Sequence, residues 1–187
     1  MSLPEQAFNI VLADPPWRYC QNMGTLSVPY PTLSTPEIMA MKPNTTDDAA
    51  LFLWTTSTHL CDALHVMHAW GFQYKRIAFV WIKNRPLMGY YTDNRVEIVL
   101  LGVRGKPTNV LKAWACESQL LQNQEVVEAP IKRHSQKPED VQDRIDNMCL
   151  PETSKLEMFA RRERKGWLCW GNEINSSGNQ EQSAMDV

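Results

Sequence analysis

The stretch Phe8-Asn9-Ile10-Val11-Leu12-Ala13-Asp14-Pro15-Pro16-Trp17 is a short apolar run that stops at a carboxylate and two prolines. A run of that length bounded by Asp-Pro-Pro reads as a strand buried on both faces, ended by residues that cannot extend a ladder. Strands covered on both sides belong to sheets flanked by helices. The carboxyl ends of such strands are where ligands bind. The rest of the chain agrees with this reading. Further strands are expected at 49–54, 77–82, 97–103, 126–129, 156–159 and 167–170.

Between them, Ser34, Thr35 and Pro36 open a helix running to about Met41. Residues 57–70 carry Leu60, Leu64 and Met67 at helical spacing, closed by Gly71. Pro138 opens another helix to about Met148, and 109–123 is a further helical candidate. Residues 18–33 and 84–95, rich in Pro and Gly, read as two long loops. The expectation is an α/β domain over 1–174 with a mainly parallel sheet flanked by helices, and a disordered polar tail at 175–187.

Composition narrows the class without deciding it. The chain has 187 residues, 43% of them hydrophobic, and a formal charge of −2, ordinary values for one globular domain. No apolar run approaches the ~20 residues a membrane helix needs, and residues 1–8 do not form a secretion signal. The five cysteines are odd in number and scattered, which argues against a disulfide framework and suits an intracellular, reducing compartment, cytoplasmic or nuclear. Cys61, His65 and His68 share one helix face with His59 nearby, but no fourth ligand is apparent, so the face reads as packing and no metal is expected. Cations cluster at Arg161, Arg162, Arg164 and Lys165, at Lys75, Arg76, Lys83 and Arg85, and at Arg104 and Lys106. Such clusters can neutralise phosphates even in an acidic chain, or be plain surface charge.

Asp14-Pro15-Pro16-Trp17 carries the chemistry. Two prolines hold the chain extended, and their carbonyls are expected to be free to accept hydrogen bonds. A carboxylate and a carbonyl that both accept from an aromatic amine free its lone pair and stabilise the positive charge that grows on it during attack. A neighbouring aromatic ring offers the base a stacking face. Adenine's exocyclic amine needs all of these, with donor and acceptor held in line.

At this point the chain resembles the Asp-Pro-Pro-Trp adenine-N6 methyltransferases, which include the catalytic subunit of the eukaryotic messenger-RNA methyltransferase and small bacterial and phage enzymes. The landmarks are ADPPWRY at 13–19, PYPTLS at 29–34, LFLWTTS at 51–57, AWGF at 69–72, FVWIK at 79–83, GVRGKP at 102–107, EAP and HSQKPE between 128 and 139, and LEMFARRERKGWLCWGNE at 156–173. The resemblance implies a Rossmann-like S-adenosylmethionine-dependent fold with permuted motif order, the catalytic motif preceding the cofactor segments. It implies that Asp14, Pro15, Pro16 and Trp17 are catalytic. Asp14 would serve both the target amine and the cofactor's methionine end, Lys137 would pair with the cofactor carboxylate, Arg161, Asn172 and Glu173 would hold its ribose, and Ser135 would be a further cofactor-binding residue. Trp17 would bind the target base, and Tyr30 and Glu97 would line the pocket near the target or the methionine moiety.

Few residues precede the catalytic strand, so the cofactor's adenine must be held otherwise than in family members with upstream contacts. Residues 108–124 exceed the compact relatives and read as a partner- or substrate-binding insertion, and Glu163 and Arg164 replace family residues near the ribose. A compact single domain resembles the DNA-modifying branch, which points to DNA as substrate. RNA is the alternative, because the amine is the same in both. A non-catalytic nucleic-acid-binding subunit is a further reading, against which the intact motif speaks. The small size leaves room for a homodimer or a partner subunit.

Overall fold

The computed structural model describes residues 2–19, 31–87, 91–112, 125–131 and 136–174. Among these, β1 (Phe8–Ala13), β2 (Thr45–Thr55), β3 (Gln73–Leu87), β4 (Asn94–Arg104), β5 (Val126–Ala129), β6 (Lys155–Met158) and β7 (Leu168–Trp170) form one sheet. Its order is β5-β3-β4-β2-β1-β6-β7. β1 lies parallel to β2 and β6, β6 to β7, and β3 to β5, while β4 runs antiparallel to β2 and β3. Helices α1 (Thr35–Ala40), α2 (Leu60–Ala69) and α3 (Glu139–Met148) flank the sheet. None of the described helices is long and apolar enough to cross a membrane.

The apolar run of β1 is explained by burial on both faces. Side chains alternate across a strand, so Val11, Ala13, Leu51 and Leu53 meet Ile38 of α1 and Ala63, Val66 and Met67 of α2. Ile10, Leu12, Ala50, Phe52 and Trp54 meet Val141 and Ile145 of α3 and the rings of Phe79 and Trp81. Trp54, Trp70 and Trp81 are all core, and Trp70 donates its indole N–H to the Ile38 carbonyl at 3.2 Å. Ser34 and Glu37 close a capping box ahead of α1, Glu37 accepting from the Ser34 N–H at 2.7 Å. Gly71 ends α2 at φ +86°, with its N–H on the His68 carbonyl and the Phe72 N–H on that of Met67.

Several boundaries differ from the sequence reading. Residues 84–95 are not simply a long loop: β3 continues to Leu87, β4 begins at Asn94, and those two residues pair. Pro86 is tolerated because the register shifts between Ile82 and Leu87, where a missing N–H breaks no regular ladder. β2 starts at Thr45 rather than at Ala49, since the Asn9 amide donates to Thr46 Oγ1 at 2.9 Å and draws polar residues onto β1. Phe159 is outside β6, turning the chain at φ +60°. Of the helix expected at 109–123, the described part is a 3-10 turn (Pro107–Asn109) and a bridge from Leu111 to Cys149; residues 113–124 lie outside the described residues, as does the tail at 175–187.

The cluster at residues 161–165 is not a bare cationic patch. Arg162 pairs with Glu139, and Arg164 with Asp143 and Asp146 at 2.6 and 2.8 Å. Asp146 also accepts from Lys155 at 2.6 Å and from the Trp167 indole at 3.0 Å. Burial alone would raise the Asp146 pKa, but Lys155 and Arg164 more than offset it and hold the carboxyl below its usual range. Asp146→Ala would leave the largely buried Lys155 and an indole N–H without this partner and take one of Arg164's two carboxylates, costing about 2–3 kcal/mol. A depressed carboxyl contributes its stability above the unfolded pKa of ~4, and loses it as pH falls through the folded value. Urea denaturation is therefore expected to show a constant wild-type advantage from pH 5 to 8 that shrinks below about pH 4. An advantage unchanged down to pH 2 would refute this account.

Candidate active site

Because β1, β2, β6 and β7 point the same way, their carboxyl ends open on one edge of the sheet. Asp14 follows β1, Thr55 closes β2, Phe159 to Arg161 follow β6, and Gly171 to Glu173 follow β7. Antiparallel β4 brings Glu97, near its start, to the same edge, and the segment before α3 delivers Lys137. A cleft of about 360 Å³ results, lined by Asp14, Pro15, Pro16, Trp17, Tyr19, Glu97, Lys137, Phe159, Arg161, Trp170, Asn172 and Glu173 among others. A second cleft of about 240 Å³ shares Asp14, Lys137, Phe159, Arg161 and Glu173 with it and is floored by Leu12, Val141 and Glu157. The structure thus brings together every described residue that the sequence assigns to the site. Ser135 and Tyr30 lie outside the described residues.

Alternating charges run along the floor. Lys137 Nζ lies 3.0 Å from Asp14 Oδ1 and 3.0 Å from Glu97 Oε2, and Lys83 Nζ lies 2.7 Å from Glu97 Oε1. Lys137 also sits 5.4 Å over the Trp54 ring. Burial raises the Asp14 pKa and the charge of Glu97 adds to the rise; Lys137 and Arg161 oppose it without cancelling it. Burial would likewise raise Glu97, but Lys137 and Lys83 hold it low. For Lys137 burial works against the cation, and the two carboxylates overcome it, lifting its pKa far above the lysine range. A fixed ammonium between two carboxylates is what these residues provide.

Two details correct the reading of the motif. The proline carbonyls are not free: Pro15 O accepts from the Trp17 N–H at 2.9 Å and Pro16 O from the Leu33 N–H at 2.8 Å. Each keeps a second lone pair. Trp17 is not an open platform, being only 6% exposed. Its indole N–H reaches the Trp54 carbonyl at 3.2 Å, and its ring lies against His59 with centroids 5.6 Å apart and planes at 19°. Trp17 therefore ties the end of β1 to the end of β2 and lends the cleft an edge.

Three contributors escaped the sequence reading. Tyr19, 45% exposed, stands edge-on to His59 at 4.6 Å and is the more open ring. His59 is locked by Thr56 and Thr58 at Nδ1 and by the Arg18 carbonyl at Nε2; a carbonyl only accepts, so Nε2 carries the proton. Lys83, closing the otherwise apolar FVWIK, could have been flagged as a cation at a buried strand's end.

Gly171 fixes how closely the ends of β6 and β7 approach. A Cβ there would fall 2.1 Å from the Ala160 carbonyl oxygen and 2.7 Å from its nitrogen, both backbone atoms. Gly171→Ala must push Ala160 and Arg161 away from Asn172 and Glu173, at about 1–3 kcal/mol. A lowered Tm is the expected result. An unchanged Tm would mean that the two strand ends do not have to meet so closely.

The seven-stranded, mostly parallel sheet flanked by helices agrees with a Rossmann-like methyltransferase fold. The chain matches the MT-A70 family over residues 8–173 and belongs to this family of adenine-N6 methyltransferases. It is 35% identical to the type II methyltransferase M.MunI of Mycoplasma sp, over 92% of this chain and 80% of that one. It is 28% identical to the N(6)-adenosine-methyltransferase MT-A70-like protein of Drosophila melanogaster and 22% identical to the N(6)-adenine-specific methyltransferase METTL4 of Homo sapiens. Those matches cover 90% of this chain but span 27% and 38% of these two longer proteins.

Proposed function

We propose that this chain methylates the N6 amine of adenine in DNA, using S-adenosylmethionine. The observation that carries the reading is Asp14, a carboxylate of raised pKa at the head of a cleft, beside the Pro15 carbonyl and held by Lys137. A raised pKa makes a carboxylate the better acceptor for an N–H whose nitrogen is gaining positive charge. Pro15 O, with one lone pair engaged by Trp17, offers the other to the second N–H.

The donor set fits the cofactor. Lys137 and Arg161 suit a carboxylate, Asp14 an ammonium, and Asn172 with Glu173 a ribose diol. When bound, S-adenosylmethionine supplies an electrophilic methyl group on sulfur. The protein's own part is to orient the amine, exclude water and stabilise its charge, so no covalent nucleophile is needed. In duplex DNA the target must leave the stack, and among the rings lining the cleft Tyr19 is the best exposed to receive it. DNA is favoured over RNA because the match spans most of the type II methyltransferase and a minor part of the adenosine methyltransferase.

The test is incubation with S-adenosylmethionine and matched DNA and RNA oligonucleotides, with N6-methyladenine measured by mass spectrometry after digestion. Product in DNA supports the reading. Product in RNA alone moves the substrate to RNA. A folded chain that binds cofactor and yields neither product, alone or with the proteins that co-purify with it, would overturn the proposal.

A further inference from the structure

Lys83 is the most deeply buried cation among the described residues, 3% exposed within β3, and it lines neither cleft. Neighbouring strands enclose it: it pairs with Ala129 of β5, its carbonyl accepts from Arg95 of β4 at 3.3 Å, and its ammonium sits 5.5 Å from the Trp81 ring centre. Removing an ammonium from water costs several kcal/mol unless a partner restores it. The ion pair that does so is with Glu97, at 2.7 Å. Glu97 is thus gripped at both oxygens, Oε1 by Lys83 and Oε2 by Lys137.

This division has a consequence one residue further on. Lys137 splits its donors between Glu97 and Asp14, at 3.0 Å each. A Glu97 released at Oε1 could turn both oxygens to Lys137 and draw the ammonium off Asp14. We propose that Lys83 is a positioning residue for the methyl-transfer site: by occupying Glu97 Oε1 it keeps Lys137 shared, and so holds the Asp14 carboxylate in place. The inference rests on the methyltransferase reading of the cleft, but the coupling it describes exists without substrate.

The groups that face Asp14 are Lys137, Glu97, Arg161 and, from β6, Glu157. Removing the Lys83 charge acts on Asp14 in one direction by both routes, through the lost cation and through the displaced Lys137; both favour the protonated acid. In Lys83→Met the Asp14 carboxyl is expected to titrate about one pH unit higher than in the wild type, read by ¹³C NMR of the side-chain carboxyl on the chain alone. Lys83→Arg keeps the cation and should restore the wild-type titration. Lys83→Gln, uncharged but able to donate to Glu97 Oε1, loses the charge and keeps the contact, so it should give a smaller shift in the same direction and serves should Met fail to fold.

In the methylation assay Lys83→Met is expected to lower kcat by about 10- to 100-fold with the KM for oligonucleotide unchanged, and to move the acid limb of the pH–rate profile upward. An Asp14 titration that stays put in the uncharged variants overturns the proposal, whatever the methylation assay gives. A wild type without methylation activity, with the titration shifted as described, would overturn the functional reading and leave the Lys83 coupling standing.

Discussion

Asp14→Asn is expected to lower methylation by about 10³-fold while leaving the protein folded. Asparagine keeps the shape and removes the charge. Facing Lys137 at 3.0 Å in the wild type, the amide would turn its oxygen to the ammonium and its NH₂ outward. A donor would then meet the donor N–H of the target amine, where an acceptor is needed. Losing one preorganised partner of a developing charge costs about 10²–10³ in rate, and the inverted polarity adds to it.

Stability should move the other way. A folded pKa raised above the unfolded value means that the proton favours the folded state, so ionised Asp14 costs stability at neutral pH and the cost is relieved as pH falls. At pH 7 the Tm of Asp14→Asn is therefore expected to equal or exceed that of the wild type, while N6-methyladenine disappears. A variant with more than a tenth of wild-type kcat would remove Asp14 from the chemistry. One that melts much earlier would show a structural carboxylate.

What was legible in the sequence follows from which forces act locally. β1 and the core of β2 could be read because burial on both faces leaves unbroken apolar runs, and α1 because its cap residues are adjacent in sequence. The continuation of β3 and β4 past residue 84 could not, because Pro, Gly and polar residues signal a turn while the pairing of Leu87 with Asn94 depends on the partner strand. The burial of Trp17, the occupied proline carbonyls and the neutralised Arg162 and Arg164 likewise come from contacts many residues away. Of the floor, Asp14 is legible from its own motif, and Glu97 and Lys137 through the resemblance. Lys83 was seen only as one cation of a cluster, since nothing in a sequence says that a lysine lies beneath a glutamate from another strand.

Lys137→Met should damage both stability and binding, and pH separates this from simple loss of packing. Without the ammonium, Asp14 and Glu97 face each other across a protected cleft with Lys83 balancing one of two charges. Removing one partner of a buried ion pair costs about 3–5 kcal/mol, and this position serves two carboxylates. The remaining repulsion lifts the folded pKa of the acid pair above its unfolded range of ~4. Protonation then favours the folded state, so the variant's deficit is largest at pH 8 and shrinks as pH falls through the raised pKa, towards pH 5. Urea denaturation at several pH values checks the slope; a deficit flat from pH 5 to 8 would assign the loss to packing over Trp54. Affinity for S-adenosylmethionine should fall by about 100-fold or more, as expected where a paired charge loses its partner. Lys137→Arg sharpens the test: a guanidinium restores the charge and most of the stability, but its planar fork cannot place one nitrogen 3.0 Å from both Asp14 Oδ1 and Glu97 Oε2 as the ammonium does. Recovered folding with unrecovered kcat would show that the site needs a point charge shared between two acids, rather than a positive charge alone.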